Sequence, residues 1–307
     1  MLRRQGVTAM VLESGSALGR EAEAVRHQVR KARVRDDGDM SSPSLSLSGL
    51  LPEDSAWMPV EGGESNATVL HDANRSRYAK IVHRTHADAL AAERDRIGWL
   101  SGTGIPGPRV LDWRTTEHGA ALITSTVAGL SADRLDPAQL ATSWRSITET
   151  LLRLHSVSAA ACPYSRTLDE MMTLARATVA ESRVQPEFLP EHLMDTPPAM
   201  ILESLERDFP LREEQERADA VVCHGDFCLP NILIDPDTSL VTGLIDLGRL
   251  GRADPYADIA LLLTNARETW PDDNTARRAD HDFATRYGIT LDPDRLDFYL
   301  RLDPLTW

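Results

Sequence analysis

The chain has 307 residues, 42% of them hydrophobic, with a formal net charge of −14. This length suffices for one large domain or two lobes around a sizeable core. The acidity speaks against a nucleic-acid partner, whose phosphates need a basic surface, but would draw in a cationic small molecule. There is no run of eighteen apolar residues and hence no expected membrane span.

Residues 1–39 hold eight basic and six acidic residues, so residues 40–307 carry −16 by difference. No apolar stretch follows Arg3-Arg4, as a secretory leader would require. "MSSPSLSLSGLLPEDSA" is rich in Ser and Pro, the composition of a linker. Residues 1–50 are therefore expected to be a disordered extension and linker. From Trp57, "WMPVEGGESNATVLHD" and "RYAKIVH" alternate as strands around turns. "HADALAAERDRIGWLSGTG" reads as a helix stopping at Gly102 or Gly104. "PRVLDWRTTEHGAALITSTV" supplies two more strands. The expected N-lobe, residues 51–130, is thus mostly sheet.

Beyond it, "DPAQLATSWRSITETLLRLHSV" places Leu140, Trp144, Ile147, Leu151 and Leu154 at helical spacing. Helical patterns continue to residue 307, interrupted by a strand-rich stretch over Val221–Leu247. The expected C-lobe covers 131–307. The fold class is α+β, with a small β-rich N-lobe and a larger, mainly helical C-lobe.

Three cysteines, Cys162, Cys223 and Cys228, with no CxxC spacing read as reduced thiols of a cytoplasmic protein with no zinc site.

The chemistry concentrates in "VVCHGDFCLPNILIDPDTSLVTGLIDLGRL". A buried strand runs out into His224-Gly225-Asp226, where the carboxylate can take a proton from a substrate hydroxyl. Asn231 lies five residues on and offers a neutral oxygen ligand. A second strand ends in Asp246, a carboxylate suited to Mg²⁺ on phosphate oxygens. Lys80 is one of only two lysines among 33 basic side chains, the other being Lys31. It sits in "YAKIV", on a half-buried strand face that demands a partner. Glu93 falls on the inward face of the following helix with Leu90, Ile97 and Leu100. The turn holding Gly62, Gly63 and Ser65 allows close backbone approach to an anion. Asp258 opens an apolar helix and can be its cap, a tie on the loop that carries Asp226, or both, since the two roles are compatible.

In this order, the glycine turn, Lys80, Glu93, "HGDFCLPN", "IDLG" and Asp258 resemble the aminoglycoside phosphotransferase family, from about Trp57 to Trp307. The resemblance implies a protein-kinase-like, two-lobed fold with ATP bound between the lobes. It implies adenine against the connector around Thr124–Val127, Asp226 as catalytic base, and Asn231 and Asp246 as Mg²⁺ ligands. It implies Lys80 on the phosphates with Glu93 beside it, and His224 and Asp258 supporting the loop. "WMPVEGGESNATV", "ERDRIGWL" and "FYLRLDPLTW" are similar to the subgroup that phosphorylates streptomycin at its 3''-hydroxyl, an act of antibiotic resistance. "GLIDLGRLG" is equally similar to kanamycin-type 3'-phosphotransferases, so another aminoglycoside or small alcohol stays open as acceptor. Streptomycin carries guanidinium groups, which pair with carboxylates. Glu268 and Asp303 are the expected contacts. HGD in place of HRD, and no APE-like segment, separate the chain from protein kinases. The simplest oligomeric expectation is a monomer.

Overall fold

The computed structural model describes residues 49–60 and 67–307. The expected extension up to residue 48 and the Gly62-Gly63-Ser65 turn lie outside the described residues. Five strands make one antiparallel sheet in the order β1-β2-β3-β5-β4: β1 (Trp57–Pro59), β2 (Thr68–Asp72), β3 (Arg77–His83), β4 (Val110–Thr115) and β5 (Gly119–Ser125). The register sets Lys80 opposite Val69 on one side and Leu122 on the other.

Alternation along these strands divides the sheet into two faces. Leu70, Ala79, Ile81, Ala121 and Ile123 form one small core with Leu50. Leu50 is fully buried there, so it belongs to the lobe and not to the linker. Val82, Ala120 and Leu122 lie in the larger core with Leu90, Ile97 and Leu100 of helix α1 (Ala87–Leu100). The helix stops at Leu100, short of the expected glycines. Turn hydrogen bonds from Gly102 N to Trp99 O and from Thr103 N to Leu100 O wind the chain off, and Gly104 takes a φ of +80°.

β6 (Leu130–Ser131) pairs with β8 (Ile232–Ile234), which pairs with β9 (Val241–Leu244). Leu130, the last residue of the expected N-lobe, therefore pairs with Ile234. A second small sheet joins β7 (Val221–Cys223) to β10 (Gly251–Ala253). The remaining helices are α2 (Pro137–His155), α3 (Leu168–Ala180), α4 (Pro198–Asp219), α5 (Tyr256–Arg267), α6 (Asp273–Tyr287) and α7 (Pro293–Leu302). α2 starts on a reciprocal cap: Asp136 accepts from Ala138 N and Gln139 N while Gln139 answers the Asp136 amide. Its apolar stripe buries Leu140, Trp144, Ile147, Leu151 and Leu154, as its spacing requires. Each such side chain contributes about 1.5–3 kcal/mol on leaving water. No described helix is long and apolar enough to cross a membrane.

Candidate active site

β3 delivers Lys80 to the face that also carries Val82. Its Nζ donates to Glu93 Oε2 at 2.8 Å and to Asp246 Oδ1 at 3.0 Å. Glu93 is buried on α1, on the face shared with Leu90 and Ile97. Burial works against the Lys80 charge, but Glu93 and then Asp246 outweigh it and raise the ammonium's pKa. Burial would also raise the Asp246 carboxyl; Lys80 more than offsets this and holds it below its ordinary value. Burial pushes Glu93 up, with Lys80 opposing. The compact ammonium can serve two carboxylates from different elements, where a planar guanidinium would need a wider site.

The loop after β7 is pinned from beneath. Asp258, fully buried in the first turn of α5, accepts from His224 N at 2.7 Å and Gly225 N at 2.8 Å. Pro255, not Asp258, occupies the N-cap position of that helix. Asp258 Oδ2 also lies 3.1 Å from His155 Nε2, and His155 Nδ1 lies 2.5 Å from Tyr287 Oη. Burial opposes the Asp258 charge, but the His155 hydrogen bond leads the groups that keep its pKa low. His155, Cys223 and Asp258 come close enough together to suggest a metal. Hydrogen bonding already accounts for them, with the Cys223 thiol donating to Asp254 O.

His224 links the two loops. The Asp226 amide donates to its Nδ1 at 3.3 Å, so Nε2 carries the hydrogen and donates to Ile245 O at 2.9 Å. Ile245 N in turn donates to Asn231 O at 3.0 Å. Asp246 follows at once, in a left-handed conformation with φ 60° and ψ 62°. That strain, about 1–3 kcal/mol for a non-glycine residue, turns the carboxylate out of the β9 line to meet Lys80. α1 locks the same turn: Arg96 Nε donates to Leu250 O at 2.8 Å.

Asp226 and Asn231 meet directly. Asn231 Nδ2 donates to Asp226 Oδ2 at 2.8 Å and to Asp226 O at 2.9 Å. This leaves the Asn231 amide oxygen uncommitted among the hydrogen bonds of the described residues. Asn231 and Asp246 offer an amide oxygen and a carboxylate, hard-oxygen donors of the kind that could hold Mg²⁺. Burial, and after it Asp303, raises the Asp226 carboxyl. On the connector, Thr124 pairs with Tyr78 and Val110. Val127 packs against β9, where a Cβ on Gly243 would lie 2.7 Å from its Cγ1. Thr124 thus belongs to the N-lobe sheet, while Val127 rests on the C-lobe.

The two expected acceptor contacts differ. Glu268 is exposed at the end of α5, one turn beyond Asn265, whose Oδ1 accepts from Leu229 N in the loop that carries Asp226 at 2.8 Å. Asp303 is already engaged on both oxygens: Arg249 Nη1 donates to Oδ1 at 3.1 Å and Trp307 Nε1 to Oδ2 at 3.1 Å. The Arg249 guanidinium lies 3.5 Å from the Trp307 ring centroid. Sequence reasoning missed Arg249, Trp307, Asn265, His155 and Tyr287. Arg249 and Trp307 lie inside the "GLIDLGRLG" and "FYLRLDPLTW" blocks, and His155 ends the helical stretch of the Leu151 and Leu154 stripe.

Residues 56–299 match the phosphotransferase enzyme family. The streptomycin 3''-kinase of Streptomyces griseus is 54% identical over 251 residues, covering 82% of this chain and 92% of that protein. An aminoglycoside 3'-phosphotransferase of Streptomyces fradiae is 36% identical over 260 residues, covering 80% and 94%. Among solved structures, the aminoglycoside phosphotransferase APH(3'')-Id of Streptomyces rimosus in complex with ADP and streptomycin superposes with a TM-score of 0.79 at 52% identity, covering 83% of this chain and 94% of that one.

Proposed function

Because the chain belongs to the phosphotransferase enzyme family, we propose that it moves the γ-phosphoryl group of ATP to the 3''-hydroxyl of streptomycin. The observation that carries this reading is the junction of Lys80, Glu93 and Asp246 beside the hydrogen-bonded pair Asp226 and Asn231. The choice of acceptor rests on the 54% identity to a streptomycin 3''-kinase, against 36% to a 3'-phosphotransferase.

In this mechanism Asp226 accepts the proton of the acceptor hydroxyl as its oxygen bonds to the γ-phosphorus. The bond from that phosphorus to the β-phosphate oxygen breaks, and ADP leaves. The raised pKa of Asp226 makes it the stronger base. Lys80, steadied by Glu93, holds the α- and β-phosphates. Asn231 and Asp246 are the residues that would hold Mg²⁺, which when bound neutralises charge on the phosphate oxygens. His224 and Asp258 keep the loop in place, and Thr124–Val127 receives the adenine. Glu268 supports acceptor binding through its position one turn beyond Asn265, against a drug whose guanidiniums seek carboxylates. An ATP-dependent enzyme of this kind works in the cytoplasm. The added phosphate gives the drug negative charge and spoils its fit to ribosomal RNA, so resistance is the outcome.

The test is ADP release with ATP and Mg²⁺, with streptomycin and kanamycin as parallel acceptors and products weighed by mass spectrometry. A gain of one phosphate on streptomycin alone is the expected result. Gain on kanamycin alone would move the acceptor site to a 3'-hydroxyl, and gain on neither would overturn the aminoglycoside reading.

A further inference from the structure

The loop reads His224-Gly225-Asp226, with glycine at the place where a protein-kinase loop carries the arginine of H-R-D. Gly225 has a φ of +82°. A Cβ on it would lie 2.4 Å from Arg249 O, 2.8 Å from Arg249 Cβ and 2.9 Å from Arg166 Cδ. Two arginines from other segments fill the volume that a side chain here would need.

Arg166 is brought there by the backbone. Ser165 bridges in parallel to Arg252 of β10, Arg252 N donates to Tyr164 O at 3.0 Å, and Arg166 N donates to Arg252 O at 3.0 Å. Gly251 makes this approach possible, since a Cβ on it would stand 2.9 Å from the Ser165 carbonyl carbon. This register sends the Arg166 stem under Gly225 and leaves its side chain 11% exposed. Its Nη2 lies 3.9 Å from Asp303 Oδ1 and donates to Thr306 Oγ1 at 3.4 Å. Its Nε has no hydrogen-bond partner among the described residues. Asp303, Asp258 and Asp226 are the acids around it, and Arg249 is a like charge beside it. Burial, then Arg249, lowers it to about 10, which leaves it a cation at neutral pH. Holding a buried guanidinium with so few direct bonds is unfavourable for stability alone. Its surroundings are the back of the Asp226 loop and Asp303.

We propose that Arg166 is a positioning residue for phosphoryl transfer, its stem filling the space behind Gly225 and its guanidinium holding Asp303 and the Asp226 loop at a set separation. This rests on the phosphotransferase reading. Arg166 touches no reacting atom; it acts through the Gly225 backbone and Asp303. Displacement of a reacting group by about 1 Å can cost on the order of 10²-fold in rate.

Full-length wild type, Arg166→Met and Arg166→Lys are compared for kcat and for the KM of ATP and of streptomycin, with melting temperatures taken in saturating ATP and Mg²⁺. The expected result is a kcat lower by about 10- to 10²-fold in Arg166→Met with both KM values kept, and recovery of most of that loss in Arg166→Lys, which keeps the charge and the stem. ATP hydrolysis without acceptor is read in parallel and should fall in the same ratio. A wild type inactive on streptomycin would sink the acceptor reading, while the hydrolysis ratio still decides the role of Arg166. An unchanged kcat in Arg166→Met, or a streptomycin KM that rises at constant kcat, would overturn the proposal. So would Arg166→Lys losing kcat as fully as Arg166→Met. Should Arg166→Met fail to fold, Arg166→Gln, which removes the charge and keeps a polar side chain, takes its place: a lowered kcat with both KM values kept upholds the position, and an unchanged kcat overturns it.

Discussion

Lys80 and Asp246 are 166 residues apart in the chain, and their side chains meet at 3.0 Å. The contact joins β3 of the N-lobe to the turn after β9 of the C-lobe, and Glu93 completes it from α1 at 2.8 Å. One ammonium thus registers three elements around the space where phosphates are proposed to sit.

Lys80→Met should lower kcat/KM for ATP by about 10²–10³-fold, the usual scale for removing one preorganised charge donor. Lys80→Arg should recover little, because the guanidinium is too wide for a pocket shared by Glu93 and Asp246. Steady-state kinetics at varied ATP concentration read both.

Asp226→Asn keeps the shape of the side chain and removes the base. Turnover of streptomycin should fall by about 10²–10⁴-fold, with binding of ATP and drug near wild type by calorimetry. Turnover close to normal would take the proton-accepting role away from Asp226.

Asp258→Ala should destabilise the fold by about 3–5 kcal/mol, since His224 N and Gly225 N are left buried without an acceptor and His155 loses its partner. Urea unfolding measures the loss. Because the folded carboxyl titrates below its unfolded value, the Asp258 contribution is present above the unfolded carboxylate range and disappears as pH falls through the lower, folded value. The Ala variant should lack that acid limb.

Glu216 gives the opposite slope. Burial pushes its carboxyl up to about 7, while both of its oxygens accept from Leu168 N. A raised folded pKa means that its share of stability is whole below the unfolded value and is lost as pH rises through about 7. Glu216→Gln keeps an acceptor without the charge. Its melting temperature should change less than the wild type's between pH 5 and pH 8, and equal changes in both would remove Glu216 as the cause.

The sequence alone determined the elements that depend on local pattern. Alternation marked β2 and β3, "PRVLDWRTTEHGAALITSTV" read as the two strands β4 and β5, and the Leu140-to-Leu154 stripe marked α2. The order and spacing of Lys80, Glu93, Asp226, Asn231 and Asp246 already pointed to phosphoryl transfer, because those residue types serve one chemistry. Local pattern was silent wherever the partner is distant in the chain. Leu50 reads as linker among serines, and it is buried only because the sheet face of Ile81 and Ile123 needs a cover. Of the two compatible roles for Asp258, cap and tie, folding put Pro255 at the cap and set the Asp258 carboxylate under His224 and Gly225. Asp303 was expected near a drug's guanidinium from its residue type and position; only folding shows Arg249 and Trp307 donating to its two oxygens. Arg166 carried no sequence signal at all. Its position depends on a parallel bridge to β10 and on two glycines whose missing side chains leave room for it. Close packing between remote segments is a property of the folded core, and no one-dimensional period encodes it.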